Sequence, residues 1–337
     1  MKTIKFLITA IVLLASVSGS PLQAQNVSYA GTSVANFLKI GIGARAAGMG
    51  EAYMTASRDA FSQFWNPGTI SRVENMSLAF TSINWLVDTQ VNYVGVVLPM
   101  TVGTFGVDVD YFGTGDIEET TVQEQDGTGR FFNASDMQVG VSYARNMTDR
   151  FSFGVKLKYL REELANVQAD AFAFDIGSLF ITDFYNQLRI GISLSNFGSK
   201  MQFDGRDLRV VYPVADSPSN KEVPAVLETQ KWELPLYFRF GVSTDLITFG
   251  NSQLTAAFDV LDSRDHEARE NLGLELGISD YLFLRSGMRF GYDEAGYSFG
   301  AGVKIGMAGV GDLRADYAWT DFGRMNPVQQ FSLVIGL

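Results

Sequence analysis

From Phe151 to Arg161 the chain alternates strictly. Phe151, Phe153, Val155, Leu157 and Tyr159 fall on one parity, and Ser152, Gly154, Lys156 and Lys158 on the other. A strand sends successive side chains to opposite faces, so this stretch predicts a strand with one apolar and one polar face. The pattern recurs down to the last residue. Strands are expected at 75–83, 90–99, 103–112, 136–145, 151–161, 170–181, 187–195, 233–246, 252–261, 271–278, 281–290, 296–305, 312–319 and 329–337. Leu188, Ile190, Ile192 and Leu194 alternate with Arg189, Gly191, Ser193 and Ser195, and Leu272, Leu274, Leu276 and Ile278 alternate with Gly273, Glu275 and Gly277. Strand 90–99 is apolar on both parities, which the alternation alone does not explain.

Most of these segments have the length of about nine to eleven residues that a tilted strand needs to cross a bilayer. The connections sort in the same sense. Turns after even-numbered strands are short, for example Thr101-Val102 and Ser279-Asp280, whereas the long loops 113–135 and 196–232 both follow odd-numbered strands. An even-stranded outer-membrane barrel starts and ends on its periplasmic side and places its long loops outside. Tyr111, Tyr159, Trp232 and Trp319 then fall near the outer interface, and Tyr143 and Phe151 near the inner one, as aromatic girdles require. The terminal strand, with Phe331, Leu333, Ile335 and Leu337 on one parity, closes the sheet and removes the edge that hydrocarbon does not tolerate. The expected fold is all-β: a 14-stranded antiparallel transmembrane β-barrel over 72–337.

The segments before the barrel differ in kind. Lys2 and Lys5, the apolar run Phe6 to Val17 and the small residue Ala24 before Gln25 read as a secretory signal peptide over 1–24. Residues 25–71 are expected to form a short Gly/Ala-rich plug that enters the barrel, with a helix over Met49 to Phe64 stopped by Asn66-Pro67. Gly41, Gly43, Gly48 and Gly50 allow tight turns and close approach of other atoms. They lack the spacing and the βαβ context of a phosphate cradle.

Charge narrows the reading further. The 337-residue chain carries a formal net charge of −11, becoming −13 once Lys2 and Lys5 leave with the leader, and it has no Cys. An acidic chain without a basic patch argues against nucleic acid as a partner. On the inward parity, Asp108, Asp110, Asp175, Asp245, Asp259, Glu275, Asp312 and Asp316 balance Lys156, Lys158, Arg189, Arg239, Arg285, Arg289, Lys304 and Arg314. A selective pore favours one sign. A balanced set predicts either a paired network or solvated lumen charges, and Arg45, Arg58 and Asp59 of the plug are candidates to join a network. No enzyme chemistry is expected. His266 is the single histidine, in an expected external loop at 262–270. One His and no Cys give no basis for a zinc site, and the acids Asp116, Glu118, Glu119, Glu124 and Asp126 lack EF-hand spacing. No cofactor is implied.

From Leu38 to Pro67 the run GIGARAAGMGEAY, then Asp59-Ala60, then Trp65-Asn66-Pro67, resembles the N-terminal signature of the PorV/PorQ family. The resemblance implies a fourteen-stranded outer-membrane barrel related in fold to the FadL long-chain fatty acid transporters, with Gly41, Gly43, Arg45, Gly48, Gly50, Asp59, Trp65, Asn66 and Pro67 as its plug motif. It also implies a role in type IX protein secretion, as a PorV-like cargo shuttle or an anchor. The partners would be outer-membrane lipid, the type IX translocon and cargo C-terminal signal domains. Binding is then expected in loops 113–135 and 196–232, with Glu118, Glu119, Arg206, Arg209 and Tyr212 as candidate contacts. The alternative is a FadL-like transporter of hydrophobic small molecules. It predicts a movable plug over an apolar pocket lined by Phe37, Phe61, Phe64 and Trp65.

Overall fold

A computed structural model describes residues 31–213, 222–307 and 311–337. The signal-peptide expectation at 1–24 lies outside these residues, as do the first residues of the expected plug. All fourteen expected strands are present: β1 Ser77–Asn84, β2 Gln90–Met100, β3 Gly103–Gly113, β4 Ala134–Asn146, β5 Phe151–Leu164, β6 Val167–Ile181, β7 Arg189–Gly198, β8 Tyr237–Phe249, β9 Ser252–Ser263, β10 His266–Ile278, β11 Leu282–Phe290, β12 Tyr297–Met307, β13 Gly311–Thr320 and β14 Val328–Gly336. Each pairs antiparallel with its neighbours in sequence. β1 pairs with β14, from Ser77 opposite Gly336 to Asn84 opposite Gln329, so the sheet closes and leaves no open edge.

The barrel is apolar outside and polar inside. Leu157, Phe172, Phe299 and Phe331 are each more than half exposed on the outer face, while Lys156, Lys158 and Asp175 on the opposite parity are buried. Such a band of outward apolar side chains is what lipid covers in a membrane barrel. β2 resolves the strand that is apolar on both parities. Its Val91, Tyr93 and Val97 are fully buried against the plug, while Val94 is 51% exposed outside. This strand is greasy on both faces because hydrocarbon meets one and packed protein the other.

Both long connections, 114–133 between β3 and β4 and 199–236 between β7 and β8, lie at one end. Each contains a small hairpin: Ile117–Glu118 pairs with Phe131–Phe132, and Arg209–Pro213 pairs with Glu222–Val226. The expected external loop at 262–270 is instead a two-residue turn, Arg264-Asp265, because β9 and β10 stay paired as far as Ser263 opposite His266. His266 is therefore a rim strand residue packed on the Tyr237 ring, 5.8 Å between centroids. The polar residues of this stretch disguise a ladder that runs on into water, where alternation no longer has an apolar face to report.

The plug differs from its expected form too. Met49 to Phe64 is not a continuous helix. Short α-helices cover Ala44–Gly48 (α1) and Ser62–Trp65 (α2), and a 3-10 turn spans Pro67–Arg72. Between α1 and α2 the backbone bonds to the barrel instead of to itself: both Tyr53 N and Met54 N donate to Asp259 Oδ2 at 2.9 Å. Asn66 does not merely end α2. Its side chain accepts from Gly68 N at 3.0 Å and caps the 3-10 turn that follows.

The inside-out arrangement gives a direct check. Leu333 faces outward near the middle of β14. Leu333→Arg is expected to lower unfolding free energy in lipid by about 2–4 kcal/mol, whereas Tyr281→Arg, at the short turn before β11, is expected to cost about 1 kcal/mol or less. Denaturant titration of the three reconstituted proteins measures both.

Candidate functional site

The plug fills the barrel interior and is held there in two ways. The first is close backbone contact. Inward positions on seven strands are glycines, and the plug rests on them. A Cβ added at Gly177 would lie 2.8 Å from Pro67 Cδ and 3.0 Å from Gly68 N; one at Gly273 would lie 2.5 Å from Met49 O; one at Gly300 would lie 3.1 Å from Gly48 Cα. Gly154 meets Pro67 and Gly68, Gly287 meets Gly50, and Gly191 and Gly241 meet Met54 and Thr55. Any other residue at these points would push the plug off the wall. Gly50 also has φ +62, which favours glycine over any residue with a Cβ. These wall glycines fall on the polar parity, but their role was not read from the sequence. The available signal was glycine recurring at mid-strand on so many strands, where it otherwise weakens pairing.

The second is a closed circuit of charges. Arg45 of the plug grips Glu275 of β10 through Nε and Nη2 at 2.7 and 2.6 Å. Glu275 also accepts from Arg285 Nε at 2.6 Å, and Arg285 Nη1 reaches Asp316 Oδ1 at 2.7 Å. Asp316 accepts from Arg314 Nε at 2.8 Å, and Arg314 pairs with Asp59, back in the plug. Tyr53 completes the circuit: its hydroxyl donates to Asp59 at 3.2 Å and accepts from Arg45 Nη1 at 3.4 Å. Three cations and three anions alternate, and all are largely removed from water.

Most of the remaining inward charges are also placed in the interior, while Lys304 and Asp312 lie at the accessible short-turn rim. Lys156 bonds Asp108 at 2.6 Å, and Lys158 bonds Asp175 at 2.8 Å and the Asn196 side chain at a bulge in β7. Arg189 bonds Asp245 at 2.6 Å and Arg289 bonds plug residue Glu51 at 3.2 Å. Arg239 stacks on the Trp65 ring, 4.8 Å from its centroid. Asp110 is buried with neither carboxylate oxygen hydrogen-bonded to a described residue. Of the three plug charges expected to join the lumen network, Arg45 and Asp59 do. Arg58 does not.

Further plug residues complete the seat. Trp65 donates to Ile42 O at 2.9 Å, Asn66 donates to Ser178 O at 3.0 Å, and Gln330 donates to Gly41 O at 3.3 Å. Gly43 lies face-on to the Phe61 ring. The four aromatics expected to line an apolar pocket pack into protein instead. Phe37 packs with Leu160 and Met201 in one cluster, whereas Phe61 and Trp65 belong to the main cluster and Phe64 packs against it, 5.3 Å from the Trp65 ring. Phe64 also borders a void of about 10 Å³.

At the long-loop end, Asp265 ties down the start of the described plug. Burial alone would raise its carboxyl, but hydrogen bonds from Lys39, Ser263 and Ser33 bring it to about 2. A depressed carboxyl contributes stability above the ordinary range near about 4 and loses it only as pH falls through its folded value, so this tether is intact near neutrality. The candidate loop residues stand apart from the lumen. Glu119 pairs with Arg130 at 2.9 Å, Arg206 bonds the Asn166 side chain, and Glu118, Arg209 and Tyr212 are exposed. The hairpin that carries Arg209 and Tyr212 presents an apolar surface to solvent: Val211, Tyr212 and Val226 are each about 60% exposed.

Removing one member of the charge circuit leaves others buried without a partner. Arg314→Met, which strands Asp59, is expected to cost about 3–5 kcal/mol. Lys304→Met, at the accessible short-turn rim, is expected to cost about 1 kcal/mol or less. Urea midpoints of the purified barrels distinguish the two.

The family model described as type IX secretion system protein PorV matches residues 22–215. No protein of curated function matches the chain in sequence. Among solved structures, the barrel is similar to the CymD monoaromatic hydrocarbon channel, with TM-score 0.58 and 11% identity over 88% of this chain and 98% of that one. It is similar to a FadL homologue of Pseudomonas aeruginosa, with TM-score 0.51 and 12% identity over 86% and 97% of the two chains. The toluene transporter TodX of Pseudomonas putida gives TM-score 0.53 and 11% identity over 88% and 97%. At these identities the likeness establishes the fold.

Proposed function

The chain belongs to the PorV family of type IX secretion system proteins, and from that premise we propose that it is a non-enzymatic outer-membrane barrel that binds protein partners during type IX secretion, as a cargo shuttle or an anchor. In this reading the long-loop end faces outward and the short-turn end faces the periplasm. The partners are the translocon and the C-terminal signal domains of cargo. The observation that carries the reading is the division of the molecule into a lumen that holds a seated plug and an outer end that exposes an apolar strand pair, 209–213 with 222–226. A surface of this kind, apolar at its centre and rimmed by charges of both signs, suits a protein interface.

A second reading is favoured by one observation: the similar solved structures include a monoaromatic hydrocarbon channel and a toluene transporter. It makes this barrel a transporter of hydrophobic small molecules. That reading needs the plug to leave its glycine seat, and it needs an apolar path. The aromatics Phe37, Phe61, Phe64 and Trp65 are instead spent on packing.

The test is isolation of the tagged protein from its native outer membrane in mild detergent, with mass spectrometry of proteins and lipids. Co-isolation of a very large barrel, or of secreted proteins retaining C-terminal signal domains, is expected. Replacing residues 209–226 by a short Gly/Ser turn is expected to remove those partners while leaving the heat-modifiable gel mobility of a folded barrel. A barrel recovered alone with a stoichiometric apolar molecule contradicts the proposal and supports transport.

A further inference from the structure

A cavity of about 660 Å³ opens beneath the plug at the short-turn end of the barrel. Its volume is in the range of sites that take small molecules or a few residues of peptide. It is not part of the long-loop face, and the secretion reading assigns nothing to it. Plug residues Thr55 to Asp59 form its roof, and the short-turn ends of β6 to β14 with the start of β1 form its walls.

Four of the six cations that line this space are paired with carboxylates of the protein. Arg45 holds Glu275, Arg189 holds Asp245, and Arg314 holds Asp59. Lys304 lies between Asp280 and Asp312, 3.0 and 3.2 Å away. Arg72 donates to Ser152 Oγ and to the carbonyls of Thr148 and Asp149. Arg58, in the roof, makes no ion pair or hydrogen bond with a described residue, and it lines the cavity. The charged groups around it are Arg189, Asp245, Arg45 and Glu74. Two of those are cations. Of the two anions, Asp245 is already held by Arg189. Glu74, exposed on the plug segment just before β1, has no ion partner among the described residues either.

Arg58 is thus an exposed guanidinium on the roof of a partly enclosed site, near other guanidiniums. Its backbone is immobilised by the ion pair of Asp59 and by the hydrogen bond between Ser57 and Ser62. A planar guanidinium so placed matches one chemistry best, a carboxylate received through two parallel N–H···O bonds. An incoming carboxylate meets Arg58 inside and Glu74 nearer the rim. A guest that carries an acidic side chain with a cationic group a residue or two away satisfies both.

We infer that this cavity binds a peptide segment presented at the short-turn end, with an acidic side chain on Arg58 and a basic one toward Glu74. The inference uses the secretion reading only to name that end as periplasmic. The binding itself rests on the lumen and involves no partner of the outer face, so either idea can fail without the other.

The test uses the mature protein in lipid nanodiscs and isothermal titration with acetyl-Gly-Glu-Gly-Lys-Gly-amide, its Glu→Gln counterpart, and succinate. The Glu peptide is expected to bind at least about tenfold more tightly than the Gln peptide or succinate. Arg58→Gln is expected to weaken it about tenfold or more, Arg58→Lys to weaken it about fivefold because the charge remains but the two-pronged donor is lost, and Glu74→Gln to weaken it about threefold. Arg58 makes no ion pair or hydrogen bond with a described residue, so its variants are expected to unfold at the wild-type denaturant midpoint. Affinity of Arg58→Gln within twofold of wild type, or equal binding of the Glu and Gln peptides, overturns the site. Succinate binding as tightly as the Glu peptide overturns the peptide and leaves a small dicarboxylate as the ligand.

Discussion

The circuit from Arg45 through Glu275, Arg285, Asp316 and Arg314 to Asp59 is the interaction on which the rest of the barrel's interior depends. It starts and ends in the plug, and its four middle members, Glu275, Arg285, Asp316 and Arg314, belong to the wall. Buried ions are costly to desolvate, and a balanced alternating set is the arrangement in which each offsets the other's cost. Such a set adds little net stability over an apolar core. It does specify position. Arg45 and Asp59 can meet their partners in one placement of the plug, and displacement by a single residue would leave several charges buried and alone.

That placement is what the glycines of the wall make physically possible. A barrel of fourteen strands encloses more space than its own side chains fill. Here the filling is a thin segment with hardly any regular structure, lying with its backbone on the backbone of the wall at Gly154, Gly177, Gly273, Gly287 and Gly300. Its amide groups, left without a helix, are met by wall side chains such as Asp259 and Ser332. The polar lumen is therefore an interior in the sense of a protein core. Surfaces free for partners lie at the two ends: an apolar hairpin at the long-loop end and a charged cavity at the short-turn end.

The strands were legible in the sequence because lipid on one side and polar protein on the other impose period two over the whole crossing. β2 was the strand whose pattern failed, and the failure had a cause: the plug covers its inner face with apolar atoms. Where strands leave the bilayer, as at Ser263 and His266, the apolar face has no reason to continue and the sequence looked like a loop. The inward charges were legible as a balanced set, yet which acid meets which base depends on strand register and shear that parity does not encode. Asp59 was a candidate for pairing, but nothing in its neighbourhood in sequence points to Arg314, distant in the chain. The helix expected at Met49 to Phe64 did not form because its apolar and glycine content serves the wall, residue by residue, in place of one amphipathic face.

The central claim is that the plug is a fixed part of the wall and that the protein acts with the plug in place. Thr55 Oγ1 and Ser243 Oγ are 2.8 Å apart across that contact, and the chain has no other cysteine to interfere. The double variant Thr55→Cys/Ser243→Cys, oxidised in the native membrane, welds plug to barrel. The account predicts that the welded protein still co-isolates with its protein partners and supports secretion as well as the reduced form does. Loss of function on oxidation, restored by a reductant, would show that the plug must move and would contradict it.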